Sequence, residues 1–166
     1  WQALTADDPA ALLALIKTGT PALPMLGTAL HRHLQQLPDL DYGLGLTERL
    51  SLQILEREGP LPTGKVFAAL MRHDEPLPYL GDLMFWWLLQ PLLAGPTPLL
   101  HIDSSEAEWP QRVIQLSQPG QAVVQGKADG FNCRATGYWV GGVALQPGQP
   151  HWRYDPAQQR LHRHSG

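Results

Sequence analysis

The stretch GDLMFWWLLQPLLAG, residues 81–95, decides how the rest of the chain is interpreted. Its density of large apolar side chains predicts a helix, with Asp82 near the positive end and Pro91 late enough to kink or shorten it. The stretch contains one charged residue, Asp82, and neither Lys nor Arg. A helix that is apolar on all sides is normally buried. We therefore expect protein to cover residues 81–95. The candidates are the N-terminal helical hairpin and the C-terminal β-layer of this chain, a missing domain, or a second copy of the chain.

Two helices are predicted at the start of the chain. TADDPAALLALIK (5–17) has Asp7 or Asp8 as its N-cap and ends before Gly19. PALPMLGTALHRHLQQLPD (21–39) repeats Leu at three- and four-residue steps, which is typical of a helix with one apolar face. The interpretation is a helical hairpin over residues 1–42 that packs on the core of the protein.

Two further helices are predicted before residues 81–95, and two strands are predicted after that stretch. LTERLSLQILEREG (46–59) predicts a helix capped by Thr47 and ended by Gly59. PTGKVFAALMRH (62–73) predicts another, capped by Thr63. The strands are expected in LLHID and RVIQLS, before a short helix that begins at Ser117. Three helices followed by paired strands indicate a winged-helix-like domain over residues 43–126.

The last segment, residues 127–166, changes to a strand pattern. From Gly137 it predicts an antiparallel β-meander, in which Gly141 and Gly142 fall within a strand and allow a bulge or close backbone packing. The predicted fold class is therefore α+β. It consists of an N-terminal helical hairpin, a winged-helix-like three-helix core and a C-terminal antiparallel β-meander, in one compact unit.

Composition restricts the function classes. The formal net charge of −3 gives no overall attraction to a polyanion. The single Cys133 cannot form an internal disulfide, and no apolar run is long enough to span a membrane, which together favour a cytoplasmic location. Because the chain starts at Trp1, we interpret it as a fragment of a longer protein with a further domain upstream.

Five phrases resemble the C-terminal half of a bacterial protein family of unknown function, some of whose members carry sigma-factor labels. They are LPMLGTALHRHLQQLP (23–38), GLGLTERLSLQILEREG (43–59), GDLMFW (81–86), YWVGGVAL (138–145) and HWRYD (151–155). The resemblance implies a separate domain preceding this chain. It implies no activity that can be assigned to particular residues.

The helix at 81–95 is the candidate protein interface. A helix that reads DNA needs Arg, Lys, Asn or Gln against the bases, and this one offers only Gln90. We therefore expect a non-catalytic protein-interaction or regulatory module, whose partner is its own upstream domain or a second copy of the chain. The interface candidates are Phe85, Trp86, Trp87 and Leu88.

The alternative is a DNA-binding regulator that contacts phosphates through basic residues elsewhere. Two of them lie in the helix before residue 74, and three lie in the C-terminal hairpin, which this interpretation treats as a basic wing. The candidate nucleic-acid contacts are Lys65, Arg72, Arg153, Arg160 and Arg163.

Catalytic and metal sites are not expected. His101, Asp103 and Ser104 have the residue types of a catalytic triad, but neighbours in sequence do not form triad geometry. His31 and His33 are two residues apart on a helix and cannot share a metal ion as an i, i+4 pair can. No phosphate loop or dinucleotide motif occurs, so no cofactor is expected.

Overall fold

A computed structural model describes residues 1–103 and 106–165 and shows an α+β fold. The helices are α1 (Gln2–Thr5), α2 (Ala10–Thr18), α3 (Leu26–Leu34), α4 (Leu46–Glu58), α5 (Thr63–Ala69, continued by a π-helical turn at Leu70–Asp74), α6 (Asp82–Leu93) and α7 (Gln118–Val124). The strands are β1 (Leu61–Pro62), β2 (Leu100–Ile102), β3 (Val113–Leu116), β4 (Tyr138–Val140), β5 (Val143–Leu145), β6 (His151–Asp155) and β7 (Arg160–His164). A 3-10 turn at Phe131–Cys133 precedes the last four strands.

The central unit, residues 44–124, contains α4 to α7 and an antiparallel sheet with strand order β1-β3-β2. Ile114 in the middle strand pairs with Leu61 on one side and Ile102 on the other. Its side chain lies in a core with members from each helix of the unit, among them Leu52, Ile54, Val66, Leu70, Phe85, Leu89 and Val123. Asp82–Leu93 therefore forms the third of the four helices of the central unit.

Most helix ends in the central unit lie where the sequence predicts them. Gly59 ends α4 with a φ of +78°, and the Ser117 hydroxyl accepts a hydrogen bond from the Gly120 amide at the start of α7. Two predicted caps are wrong. Gly45, not Thr47, caps α4, because Glu48 accepts from the Gly45 amide. Thr63 is already inside α5.

The flanking unit combines the first and last parts of the chain: α1 to α3 with β4 to β7. Its core joins Leu12, Leu30 and Leu34 of the helices to Phe131, Val143, Leu145 and Tyr154. The predicted hairpin over 1–42 therefore packs mainly on the C-terminal strands, and α3 also contacts the central unit through Arg32. The apolar faces of those strands are the surface that the leucine stripes of α2 and α3 cover.

The C-terminal strands form two separate hairpins instead of one continuous meander. β4 pairs with β5 and β6 with β7, with no ladder between β5 and β6. Gly141 and Gly142 form the two-residue turn of the first hairpin, with φ of +58° at Gly141. The Gly142 amide donates to the Leu4 carbonyl at 2.9 Å, so the predicted close backbone packing is present, in a turn and not in a strand.

Buried ion pairs join the two units. The Arg32 guanidinium on α3 donates to both oxygens of Glu75 at 2.7 Å and to the Thr47 hydroxyl at 2.8 Å. Both charged side chains are almost fully buried. Asp39 and Arg49 form a second, partly buried pair at 2.9 Å.

Among the described residues, no helix combines the length and apolar character needed to cross a membrane.

Candidate functional site

One side of α6 is core and the other side is exposed. Phe85, Leu89 and Leu92 repeat at i, i+4 and i+7 and are buried in the central unit. Leu83 and Trp87, one turn apart on the opposite side, are 68% and 64% exposed. Within this chain, protein therefore covers one side of α6 and leaves the other side exposed.

The four interface candidates differ in the exposed fraction of their side chains. Phe85 has no exposed surface and cannot contact a partner, which corrects its assignment to the interface. Trp86 is half-buried because it stacks on Trp109 with ring centroids 5.5 Å apart. Leu88 is also half-buried. Trp87 remains the one of the four whose ring is mostly free, and Leu83 and Met84 extend the exposed surface.

A cleft of about 400 Å³ separates the exposed side of α6 from the first C-terminal hairpin. We call it the α6–β4 cleft. One wall comes from Met84, Trp87 and Pro91, and the other comes from Tyr138, Trp139 and Val140. Trp139 is 67% exposed, so both walls end in a tryptophan at the surface. The remaining lining residues are His33, Gln36, Glu48, Tyr79, Leu80, Leu88 and Arg134.

A buried ion pair lies among the lining residues of the cleft. Arg134 donates to the Glu48 carboxylate, and each side chain is less than a tenth exposed. The guanidinium also lies over the Tyr138 ring, 4.2 Å from its centroid, in a cation–π contact. Burial raises the pKa of Tyr138, so its hydroxyl stays protonated at neutral pH. The two opposite charges neutralise each other where water is largely excluded.

Tyr79 is held at the edge of the cleft by polar contacts from α3. Its hydroxyl accepts a hydrogen bond from the Gln36 amide nitrogen at 3.0 Å, and the Arg32 guanidinium lies 5.4 Å from its ring centroid. Gln36 also donates to the Thr47 hydroxyl at 3.1 Å. The cleft is therefore shaped by both units of the fold.

Two nitrogen atoms of cleft residues have no hydrogen-bond partner within the described part of the chain. They are Arg134 Nε and His33 Nε2, and both atoms are buried. Burial lowers the pKa of His33, and the neighbouring Arg32 charge lowers it further. His33 is therefore neutral at physiological pH, with one ring nitrogen available as a donor or an acceptor.

Acidification below about pH 6.5 is expected to destabilise the fold. Burial is the main cause that lowers the pKa values of His31, His33 and His151 in the folded state. The unfolded chain then binds more protons below about pH 6.5, so stability is full above that pH and is lost as pH falls toward the lowered values. Thermal unfolding across this range checks the sign, and His33→Asn should reduce the slope. A melting temperature that rises on acidification would contradict the assignment. Asp39, whose pKa burial raises, acts in the opposite direction at lower pH.

The candidate DNA contacts are dispersed. Arg153 is 2% exposed and pairs with Asp129 at 2.6 Å, so it is unavailable to a phosphate, contrary to its assignment. Lys65 and Arg72 are exposed on α5 and its π-helical turn, whereas Arg160 and Arg163 lie on β7 in the flanking unit. The five residues do not form a single surface.

The loop between β2 and β3 is acidic in sequence. It carries Asp103, Glu106 and Glu108, and its one arginine, Arg112, lies 3.9 Å from the Asp103 carboxylate. Of the triad residue types noted in this region, Ser104 lies outside the described residues. Among the residues that the structure describes, no group of three or more His, Cys, Asp or Glu is placed to hold a metal ion.

Several residues of the cleft escape sequence reasoning. Glu48 and Arg134 are 86 positions apart, and no local pattern links them. Strand alternation could have identified Trp139, because its neighbours Tyr138 and Val140 point inward and leave the tryptophan outward. The Glu at the third position of the LTER helix could have been identified as a capping-box residue.

Comparisons with protein-family models, curated protein sequences and solved structures each found no match to this chain.

Proposed function

We propose that this chain is a non-catalytic protein-interaction or regulatory module built on a winged-helix-like scaffold. The element order of the central unit supports the scaffold: a helix, a short strand, two helices, and two antiparallel strands with the short strand alongside. In this arrangement α6 occupies the position of the helix that reads DNA. A cytoplasmic location is part of the proposal and is supported by the single, unpaired Cys133.

The exposed apolar side of α6 is the observation that carries the proposal. Leu83, Met84 and Trp87 each have more than half of their surface in contact with water. Contiguous apolar surface of this kind marks an interaction site in a folded protein. The absence of Lys and Arg from residues 81–95 removes the groups that would bind phosphates.

A second copy of the chain is the proposed occupant of this surface. Two copies related by a twofold axis would each present the same patch, so the patch must be compatible with itself. The exposed side of α6 has one charge, Asp82 at its first turn, and an antiparallel arrangement of two such helices keeps the two carboxylates apart. A domain preceding this chain, as the family resemblance implies, is the other expected partner.

Leu83→Arg is expected to weaken self-association by at least tenfold, because it places a charge in the centre of an apolar contact. Leu83 does not line the α6–β4 cleft, so the substitution leaves that cavity intact. Sedimentation velocity over a concentration series measures the change. Leu40→Arg, at an exposed leucine outside α6, is the matched control and should leave association unchanged. A wild-type chain that remains monomeric at hundreds of micromolar excludes the second copy as partner.

DNA binding is the second candidate, and it rests on the helix order of the central unit together with exposed Lys65, Arg72, Arg160 and Arg163. Titration of nonspecific duplex DNA at two salt concentrations separates it from protein contact. Micromolar binding that weakens steeply with salt favours DNA. No binding at low salt supports the protein-interaction function.

A further inference from the structure

We infer that the α6–β4 cleft binds a small, neutral aromatic molecule. The inference requires only a single copy of the chain and does not rest on the self-association proposed above. It follows from the size of the cleft, from its walls and from the charges of the groups that line it.

The dimensions and walls of the cleft suit a planar ring. A volume of about 400 Å³ falls within the range of small-molecule sites in proteins, which are mostly apolar with a few polar groups. Four aromatic side chains line it: Tyr79, Trp87, Tyr138 and Trp139. Trp87 and Trp139 belong to opposite walls and are both mostly exposed, so a ring inserted between α6 and β4 would cover apolar surface on both.

The charges in the cleft select against an ionised ligand. The positive charge of Arg134 is already neutralised by Glu48, whose two oxygens accept from Arg134 and from the Gly45 amide. A ligand cation would find no free carboxylate oxygen. A ligand carboxylate would lie near the Glu48 charge in a poorly solvated site, with no unpaired cation to offset its desolvation. A neutral ligand avoids both costs.

The test uses 1-naphthamide, with the anionic 1-naphthoate and the cationic 1-naphthylmethylamine as comparators. Titration into the wild-type chain is followed by NMR at the indole N–H resonances, which are assigned by substituting Trp87 and Trp139 one at a time. We expect 1-naphthamide to shift both resonances with a Kd below about 1 mM, the affinity typical for a ligand of this size. Both charged analogues should bind at least threefold more weakly.

Trp139→Ala should weaken 1-naphthamide binding about tenfold, because it removes one wall without touching either hydrophobic core. Leu83→Ala, at an exposed position outside the cleft, is the matched control and should leave the Kd unchanged. Circular dichroism establishes that both variants are folded. The inference is overturned if 1-naphthamide produces no shift up to its solubility limit, if either charged analogue binds more tightly, or if Trp139→Ala leaves the Kd unchanged. Binding of 1-naphthamide to Leu83→Arg separates this outcome from that of the self-association proposal.

Discussion

Phe85→Ala is expected to lower the free energy of unfolding by about 3–5 kcal/mol, the range for truncating a buried phenylalanine. The Phe85 side chain has no exposed surface, and its ring packs against Phe67 with centroids 5.2 Å apart. Removing it leaves a cavity at the centre of the central unit. Chemical denaturation, performed at a concentration low enough to keep the chain monomeric, measures the change.

The matched control for this prediction lies on the same helix. Leu83→Ala removes an aliphatic side chain that is 68% exposed, so it should change the free energy of unfolding by less than about 0.5 kcal/mol. The contrast between the two variants tests the orientation of α6 about its axis. Equal losses at both positions would show that the helix is rotated from the orientation described here.

Arg32→Met is expected to destabilise the fold by about 3–5 kcal/mol, because it leaves the Glu75 carboxylate buried without its cation. The Glu75 side chain has no exposed surface and receives two hydrogen bonds from Arg32. The same substitution removes one of the two donors to the Thr47 hydroxyl, which lies across the junction of the two units. Thermal and chemical unfolding both report the loss.

Two further variants test whether the unpaired Glu75 charge explains the loss of stability in Arg32→Met. Arg57→Met removes an arginine that pairs with Glu58 and Asp74 but is half exposed, and it should cost less than about 1 kcal/mol. The double variant Arg32→Met with Glu75→Leu should recover part of the loss, because no buried charge is then left unpaired. A double variant less stable than Arg32→Met alone would refute the role given to the pair.

The secondary structure was largely predictable where the signals are local. The glycine after α4, the serine before α7 and the alternating residues of β2 and β3 each act over a few positions, and the α+β order of elements follows from them. The wrong caps at Thr47 and Thr63 have the same origin, because a residue type that caps helices also occurs within their first turn.

The orientation of α6 could not be predicted from its residues. A helix with apolar side chains on every side has no amphipathic pattern to distinguish the buried side from the exposed one. Contacts with distant parts of the chain determine which side is buried, such as those of Phe85 and Leu89 with the core of the central unit. Phe85 was therefore placed in the interface, although it lies in the core.

The buried charges escaped prediction for a related reason. Arg153 was interpreted as a nucleic-acid contact, yet it is buried, where it forms an ion pair with Asp129 and donates a hydrogen bond to the Asp39 carbonyl. The Arg134 partner, Glu48, lies in another unit of the fold. Pairings of this kind depend on tertiary structure, and the α6–β4 cleft, which they help to form, is equally invisible in the sequence.

The flanking unit draws its core from both ends of the chain, and this affects how the protein is made. During translation α2 and α3 leave the ribosome early, with Leu12, Leu30 and Leu34 lacking the residues that cover them. Those residues, from Phe131 to Tyr154, are synthesised more than ninety positions later, after the whole central unit is available to fold. The newly synthesised helices must therefore stay soluble until the residues that cover them are made. Chaperones that bind exposed leucine would act on the chain during this time.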